Sequence, residues 1–182
     1  LNIVRIGTSG SVQADIPVDS FVISEKSIGC DGVLRFYANN ESVCDHPFEE
    51  AFIRHCRWTP SAARPYVVNA DPGLVDRLYD EEHTIKGVTL TAVGFYGPQG
   101  RVLRLPLAMP GINDRITAFR YEGYKVTNYE MESAAITGLC NLLGHRAATI
   151  CLIIANRING DASADYHSYM NKLIRYTLEK LS

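Results

Sequence analysis

Apolar positions along this chain fall into short continuous runs, and these alternate with segments of helical period. Residues 2–6 are an apolar run that passes into Gly7-Thr8-Ser9-Gly10-Ser11, which reads as a strand feeding a loop. A second strand is expected over 21–24, with an extension through Ile28. Residues 30–47 are mixed, and 47–55 fit a helix with Pro47 near its start. Residues 66–70 read as strand. Asp71 then serves as N-cap and Pro72 as first residue of a helix to about Tyr79. The next strand, 88–95, ends in the shaped loop Tyr96-Gly97-Pro98-Gln99-Gly100-Arg101. Residues 103–110 are apolar, punctuated by proline and closed by Gly111, the pattern of a flap. Asn113 or Asp114 should cap a short helix through Tyr121 that Gly123 ends. The continuous run 147–155 predicts a central strand buried on both faces. A polar loop follows over 161–165, then a helix over 166–181 with Met170, Leu173, Ile174 and Leu178 on one face.

The most informative stretch lies between these elements. Thr127-Asn128-Tyr129-Glu130-Met131-Glu132-Ser133 leads into an apolar run that closes at Gly144, so Glu130 and Glu132 should sit where an extended segment becomes a helix. Carboxylates two residues apart share a side only in extended chain. One can then face a pocket while the other is held elsewhere. The plainer reading is an acidic first turn that favours the helix dipole.

Alternation of strand and helix over 182 residues points to one α/β domain, 1–182, with a largely parallel sheet. A hydrophobic fraction of 46% and a mean hydropathy of −0.06 fit a globular chain. No apolar run reaches the roughly 20 residues that span a bilayer. The net charge of −2 gives no electrostatic case for nucleic acid or an anionic membrane as partner. Five cysteines without paired spacing fit reduced thiols in the cytoplasm better than a disulfide framework. Cys44 with His46, and His55 with Cys56, lack a second pair at usable spacing, so no metal site is expected. Leu1 is not an initiator Met and already reads as strand, so the chain is expected to begin inside a fold.

Candidate chemistry concentrates at three places. A Gly/Ser/Thr-rich segment after a strand can offer backbone N–H and hydroxyl groups to an anion, although an ordinary turn would look the same. It matches neither the dinucleotide fingerprint, because Ser9 stands at the third position of that pattern, where glycine is required, nor a nucleophile elbow, because Ser11 stands where that motif needs glycine. Arg5, on an apolar strand, needs a charged partner if it is buried. Phe95, Gln99 and Arg101 suit a planar ring that carries both donors and acceptors, the alternative being a plain surface loop. Arg157 ends the buried strand, and ligands gather at that end in open α/β sheets.

Taken in order, Arg5-Ile6-Gly7-Thr8-Ser9-Gly10, Phe95-Tyr96-Gly97-Pro98-Gln99-Gly100-Arg101, Asn128-Tyr129-Glu130-Met131-Glu132-Ser133 and Asn156-Arg157 resemble the uridine phosphorylases of the nucleoside phosphorylase family. The resemblance implies a three-layer α/β/α sandwich with a mixed, largely parallel central sheet. It implies phosphorolysis of uridine to uracil and ribose 1-phosphate, with inorganic phosphate as co-substrate and no other cofactor or metal. Arg5 and Thr8 would hold phosphate, and Thr8, Met131 and Glu132 the ribose. Ser9, Gly10, Phe95, Gln99, Arg101, Glu130, Ile154 and Ala155 would surround the base, with Arg157 in support. Gln99, Arg101, Glu132 and Arg5 would carry the catalysis. The resemblance also implies a homo-oligomer built from dimers, most simply a hexamer. Asn156-Arg157 and the Gln99/Arg101 pair speak against cleavage of purine nucleosides. A non-catalytic nucleoside-binding relative is the reading from another class. The family's earlier phosphate-binding glycine and arginines, and a ribose-contacting histidine, have no counterpart here, and residues 105–111 match no family pattern.

Overall fold

A mixed sheet that bends until it closes on itself organises the computed structural model, which describes residues 1–182. Its strands are β1 (Asn2–Ser11), β2 (Phe21–Gly29), β3 (Tyr66–Asn69), β4 (Thr84–Thr91), β5 (Arg120–Tyr121), β6 (Tyr124–Glu130), β7 (Arg146–Asn156) and β8 (Asp161–Ala162). They run in the order β3-β2-β4-β6-β1-β7-β8, with β5 on β6. A further antiparallel pairing of β2 with β7 joins β2, β4, β6, β1 and β7 into a ring. The long ladders β1–β7 and β2–β4 are parallel, as is β4–β6, and the antiparallel pairings are shorter. The α/β expectation therefore holds. Period-two alternation says which faces are apolar, not which edges meet, so the ring closure was not legible in the pattern.

Five α-helices lie against this sheet: α1 (His46–Cys56), α2 (Pro72–Leu78), α3 (Ile112–Ala118), α4 (Ser133–Leu142) and α5 (Tyr166–Leu181). Asp45 and Asp71 cap α1 and α2 through bonds to the N–H groups of Phe48 and Leu74, with proline at the start of each helix. The largest apolar cluster sits under α1 and α3, where Phe48, Phe52 and Phe119 meet Val88, Leu90 and Val126. A second lies under α2 and α5, where Leu74, Leu78 and Leu173 meet Ile23, Ile150 and Leu152. Residues 147–153 of β7 are all buried, as their unbroken apolar run requires.

Several local expectations change. Residues 7–11 are not a loop: β1 stays paired with β7 from Asn2 to Ser11, and the chain absorbs the Ser9–Gly10 step as a register shift. β4 starts and ends four residues earlier than its apolar run because its partner β6 ends at Glu130, leaving Val93 outside the ladder and exposed. α3 starts from Gly111 at φ 67 with no side-chain cap, so neither Asn113 nor Asp114 caps it. The helix stops at Ala118, Tyr121 belongs to β5, and Gly123 at φ 81 turns the β5–β6 hairpin. On α5 the buried side is Leu173 and Thr177, with Tyr169, Met170 and Tyr176 beside them. Ile174 and Leu178 face outward because the apolar stripe follows the contact with α2 and β7.

Gly138 of α4 faces the buried Leu34, and a Cβ built there would run into the Leu34 side chain. Helix propensity alone would favour alanine by about 0.8–1.0 kcal/mol. Overpacking a filled core costs about 1–3 kcal/mol and should win. Gly138→Ala is expected to lower the melting temperature by about 2–4 °C per kcal/mol lost. In a double-mutant cycle, Leu34→Ala should cost less in the Gly138→Ala background than alone. The thiols supply a second check. Burial raises the pKa of all five cysteines, Cys44 and Cys56 to about 12 and Cys151 to about 11. Because the thiolate is the reactive form, a raised pKa suppresses reaction with Ellman's reagent at pH 8. The half-buried Cys44 should react slowly and the other four only after denaturation. Rapid labelling of Cys56 or Cys151 in the native protein would contradict the packing.

Candidate active site

Alternation along β1 sends Arg5, Gly7 and Ser9 to one side of the strand. The Arg5 guanidinium folds back over Gly7, where a Cβ would lie 2.8 Å from both terminal nitrogens, so glycine is what leaves it room. Three groups converge on it. The Glu130 carboxylate is 3.2 Å from Nη1, Glu132 binds Nη2, and Nη1 donates to Cys151 Sγ at 3.4 Å. Cys151 is placed by the β1–β7 register, two residues beyond Thr149, the partner of Arg5. Side-chain exposure is 14% for Arg5 and 1% for Glu130, so this is a nearly dry ion pair. Burial alone would lower the Arg5 pKa; Cys151, Glu130 and Glu132 outweigh it and the net direction is up.

Glu130 is fully occupied. Its Oε1 accepts from the Thr91 hydroxyl, and its Oε2 accepts from the N–H groups of Glu132 and Ser133, each at 2.8 Å. Thr91 Oγ1 in turn accepts from Ala134 N at 2.9 Å. The last residue of β6 thus caps α4 from outside, and no acidic side chain lies in the helix's first turn. The dipole reading of the two glutamates is replaced by a division of labour. Glu130 is fixed and buried, whereas Glu132 has a side chain 54% exposed and a single partner, Arg5.

A second constellation gathers around the loop at 95–101. The Gln99 side-chain oxygen accepts from Arg101 Nη1 at 2.9 Å and from Arg157 Nη2, and Arg157 Nη1 also donates to the Gln99 carbonyl at 3.3 Å. With this amide orientation the Gln99 side-chain nitrogen has no protein partner. Arg101 stacks over the Phe95 ring at 3.9 Å and donates to the Phe95 carbonyl; Arg157 stacks over Tyr129 at 4.5 Å. Burial and the neighbouring Arg101 lower the Arg157 pKa to about 10, which still leaves it charged at neutral pH. A Cβ at Gly10 would sit 3.2 Å from Arg157 Nε, so this glycine admits the arginine beside β1.

Of the residues singled out in the sequence, Arg5, Glu130 and Glu132 form one group, and Phe95, Gln99, Arg101 and Arg157 another. Thr8 is half-buried on β1, Ser9 is buried, and Met131 is 40% exposed next to Glu132. Ala155 pairs with Gly10. Ile154 continues the face of β7 that packs with the cluster under α5, because it lies two residues beyond Leu152 on the same strand. Sequence reasoning missed Thr91, Cys151, Tyr129 and Asn113, whose roles depend on strand register and hydrogen bonding. Leu103, Leu105 and Leu107 of the proline-punctuated segment, with Trp58 and Met109, line a cavity of about 960 Å³. It shares Tyr96, Arg101 and Tyr129 with the second constellation but contains none of Arg5, Thr8, Glu130 or Glu132. No three His, Cys, Asp or Glu side chains converge as metal ligands would.

The family model described as Phosphorylase superfamily matches residues 1–177. Uridine phosphorylase A of Schistosoma mansoni is 36% identical over 160 residues, covering 87% of this chain and 49% of that protein. Uridine phosphorylase of Thermococcus kodakarensis is 26% identical over 164 residues, covering 87% of this chain and 50% of that protein. A solved Trypanosoma brucei nucleoside phosphorylase, reported to show uridine phosphorylase activity, superposes with a TM-score of 0.79 at 23% identity. The match covers 99% of this chain and 63% of that one, and at this identity it speaks for the fold. This chain spans about half the length of the curated relatives it matches. With nearly every residue inside the family match, the chain belongs to the phosphorylase superfamily.

Proposed function

We propose that this chain carries the site for phosphorolysis of uridine to uracil and ribose 1-phosphate. The observation that supports this most is the pairing of two groups of side chains: an arginine held by two carboxylates, and a Gln99–Arg101–Arg157 cluster with free donors. The named uridine phosphorylases among its relatives point the same way. Arg5 and Thr8 hold phosphate, Met131 and Glu132 hold ribose, and Phe95, Gln99 and Arg101 hold the uracil. A phosphate oxygen forms a bond to the anomeric carbon as the bond to the base nitrogen breaks. That bond's electron pair leaves with uracil, which then takes a proton from water. The free Gln99 side-chain nitrogen and the Arg101 guanidinium donate to uracil oxygens, which are more negative in the transition state than in bound substrate.

Glu132 has a second part in this reading. In the free protein it neutralises Arg5, so phosphate arriving at Arg5 displaces it and frees its oxygens for the ribose hydroxyls. Phosphate and nucleoside then assist each other's binding. No metal and no cofactor beyond phosphate take part. The protein acts as a homo-oligomer built from dimers, a hexamer in its simplest form. The apolar side chains exposed next to the base loop, Phe95, Tyr96, Leu103 and Leu105, favour such a cover. Its five free thiols suit the cytoplasm.

Incubation of the full-length protein with uridine, with and without phosphate, tests the reading through the absorbance change on uracil release. Uracil is expected only with phosphate, and inosine should remain uncleaved. Gln99→Ala and Arg101→Ala should each lower kcat about 10²–10³-fold, the loss typical of removing one oxyanion donor. Uracil in both tubes would make the protein a hydrolase. No uracil in either would leave a nucleoside-binding relative without catalysis.

A further inference from the structure

Asn113 lies in the first turn of α3 but makes no cap there. Its side-chain nitrogen donates to the Gln99 carbonyl at 3.1 Å and the Gly100 carbonyl at 3.4 Å, which uses both of its hydrogens. Its side-chain oxygen accepts from the Tyr129 hydroxyl at 3.1 Å. Gly100 is held at φ 70, and a Cβ there would collide with the Asn113 amide, so loop and side chain are in direct contact. Tyr129 is 2% exposed and carries Arg157 over its ring, and Arg157 returns to Gln99 through two bonds. Gln99, Asn113, Tyr129 and Arg157 therefore close a ring. Tyr129 is also the chain neighbour of Glu130, which grips Arg5.

We propose that Asn113 is a positioning residue that latches the base-reading loop to β6 and so fixes Gln99 and Arg101 relative to the Glu130–Arg5 pair. The inference rests on the uridine reading of the site and goes beyond it in naming what sets the base-edge donors. Two features carry it. Asparagine supplies two donors and one acceptor at once, and all three are used on the base loop and β6. Aspartate in its place would keep the bond to Tyr129 but set a carboxylate against two carbonyl oxygens. No side-chain hydrogen bond or ion pair joins the ring to Thr8 or Glu132, so the latch bears on the base and leaves the phosphate and ribose groups alone.

Asn113→Ala, Asn113→Asp and Tyr129→Phe in the full-length protein test this. Asn113→Ala should lower kcat/KM for uridine about 10- to 100-fold, mostly through kcat, because misplaced donors act on the departing base. The KM for phosphate and the affinity for ribose 1-phosphate should stay at wild-type values, and uracil affinity should fall. Asn113→Asp should not rescue. Adding Tyr129→Phe to Asn113→Ala should cost less than Tyr129→Phe alone. Wild-type kcat/KM in Asn113→Ala overturns the latch, and so does a loss shared equally by phosphate and ribose 1-phosphate. If the wild-type protein releases no uracil with phosphate, the uridine reading falls by itself. Hydrogen exchange of the 97–101 amides then still decides the latch, which requires faster exchange in Asn113→Ala and is refuted by unchanged exchange.

Discussion

A guanidinium largely withdrawn from water must be neutralised where it stands, and the way Arg5 is neutralised fixes the rest of the site. Removing one partner of such a pair would leave a buried charge, at about 3–5 kcal/mol. Glu130 cannot drift from this duty, because the same carboxylate accepts the N–H groups of Glu132 and Ser133 at the start of α4 and the Thr91 hydroxyl. One side chain thus ties β1, β4, β6 and the start of α4 together. The cap on the helix and the grip on the cation are one structure, so the helix start and the candidate anion site cannot shift independently.

Strand geometry then sends the two halves of the site in opposite directions. Tyr129 and Glu130 are consecutive on β6, so their side chains leave on opposite faces. Tyr129 goes to the base loop and Arg157, while Glu130 goes to Arg5. The closed sheet makes this useful, because β1 lies between β6 and β7, the strand that ends in Arg157. Glycines at 7 and 10 of β1 give room to Arg5 and to Arg157 in turn. What looks like an anion-binding loop in the sequence is thus a strand thinned to let two arginines pass.

That difference marks how far the sequence could be read. The α/β class, the cap at Asp71, the buried run of β7 and the placing of Glu130 and Glu132 at a strand-to-helix junction were all visible, because each depends on near neighbours. Asp45 itself needed the fold, the proline at 47 having only hinted at it. The Gly7–Ser11 strand was hidden because glycine and serine read as loop, and the ladder to β7, joined at Gly10 and Ser11 by pairing with β6, holds them extended. Asn113 was taken for a cap because asparagine before an apolar turn usually is one, and its real partners are 14 and 16 residues away. Cys151 gave no signal at all: inside an apolar run a cysteine is simply another small hydrophobe.

The two carboxylates on Arg5 differ in a way that the proposed reaction needs. Glu130 is sealed, and its bond to Arg5 is protected from water. Glu132 reaches the same guanidinium with more than half of its side chain exposed, and exposed ion pairs are worth about 0.2–1 kcal/mol. An arriving dianion therefore competes against the weak pair and leaves the strong one untouched. Had both glutamates been buried, phosphate would have to break a desolvated pair to reach Arg5, and the helix cap would be at risk each time. Placing one carboxylate on the strand and the other two residues later, at the helix start, separates holding from yielding. The spacing in Glu-Met-Glu is the sequence-level form of that separation.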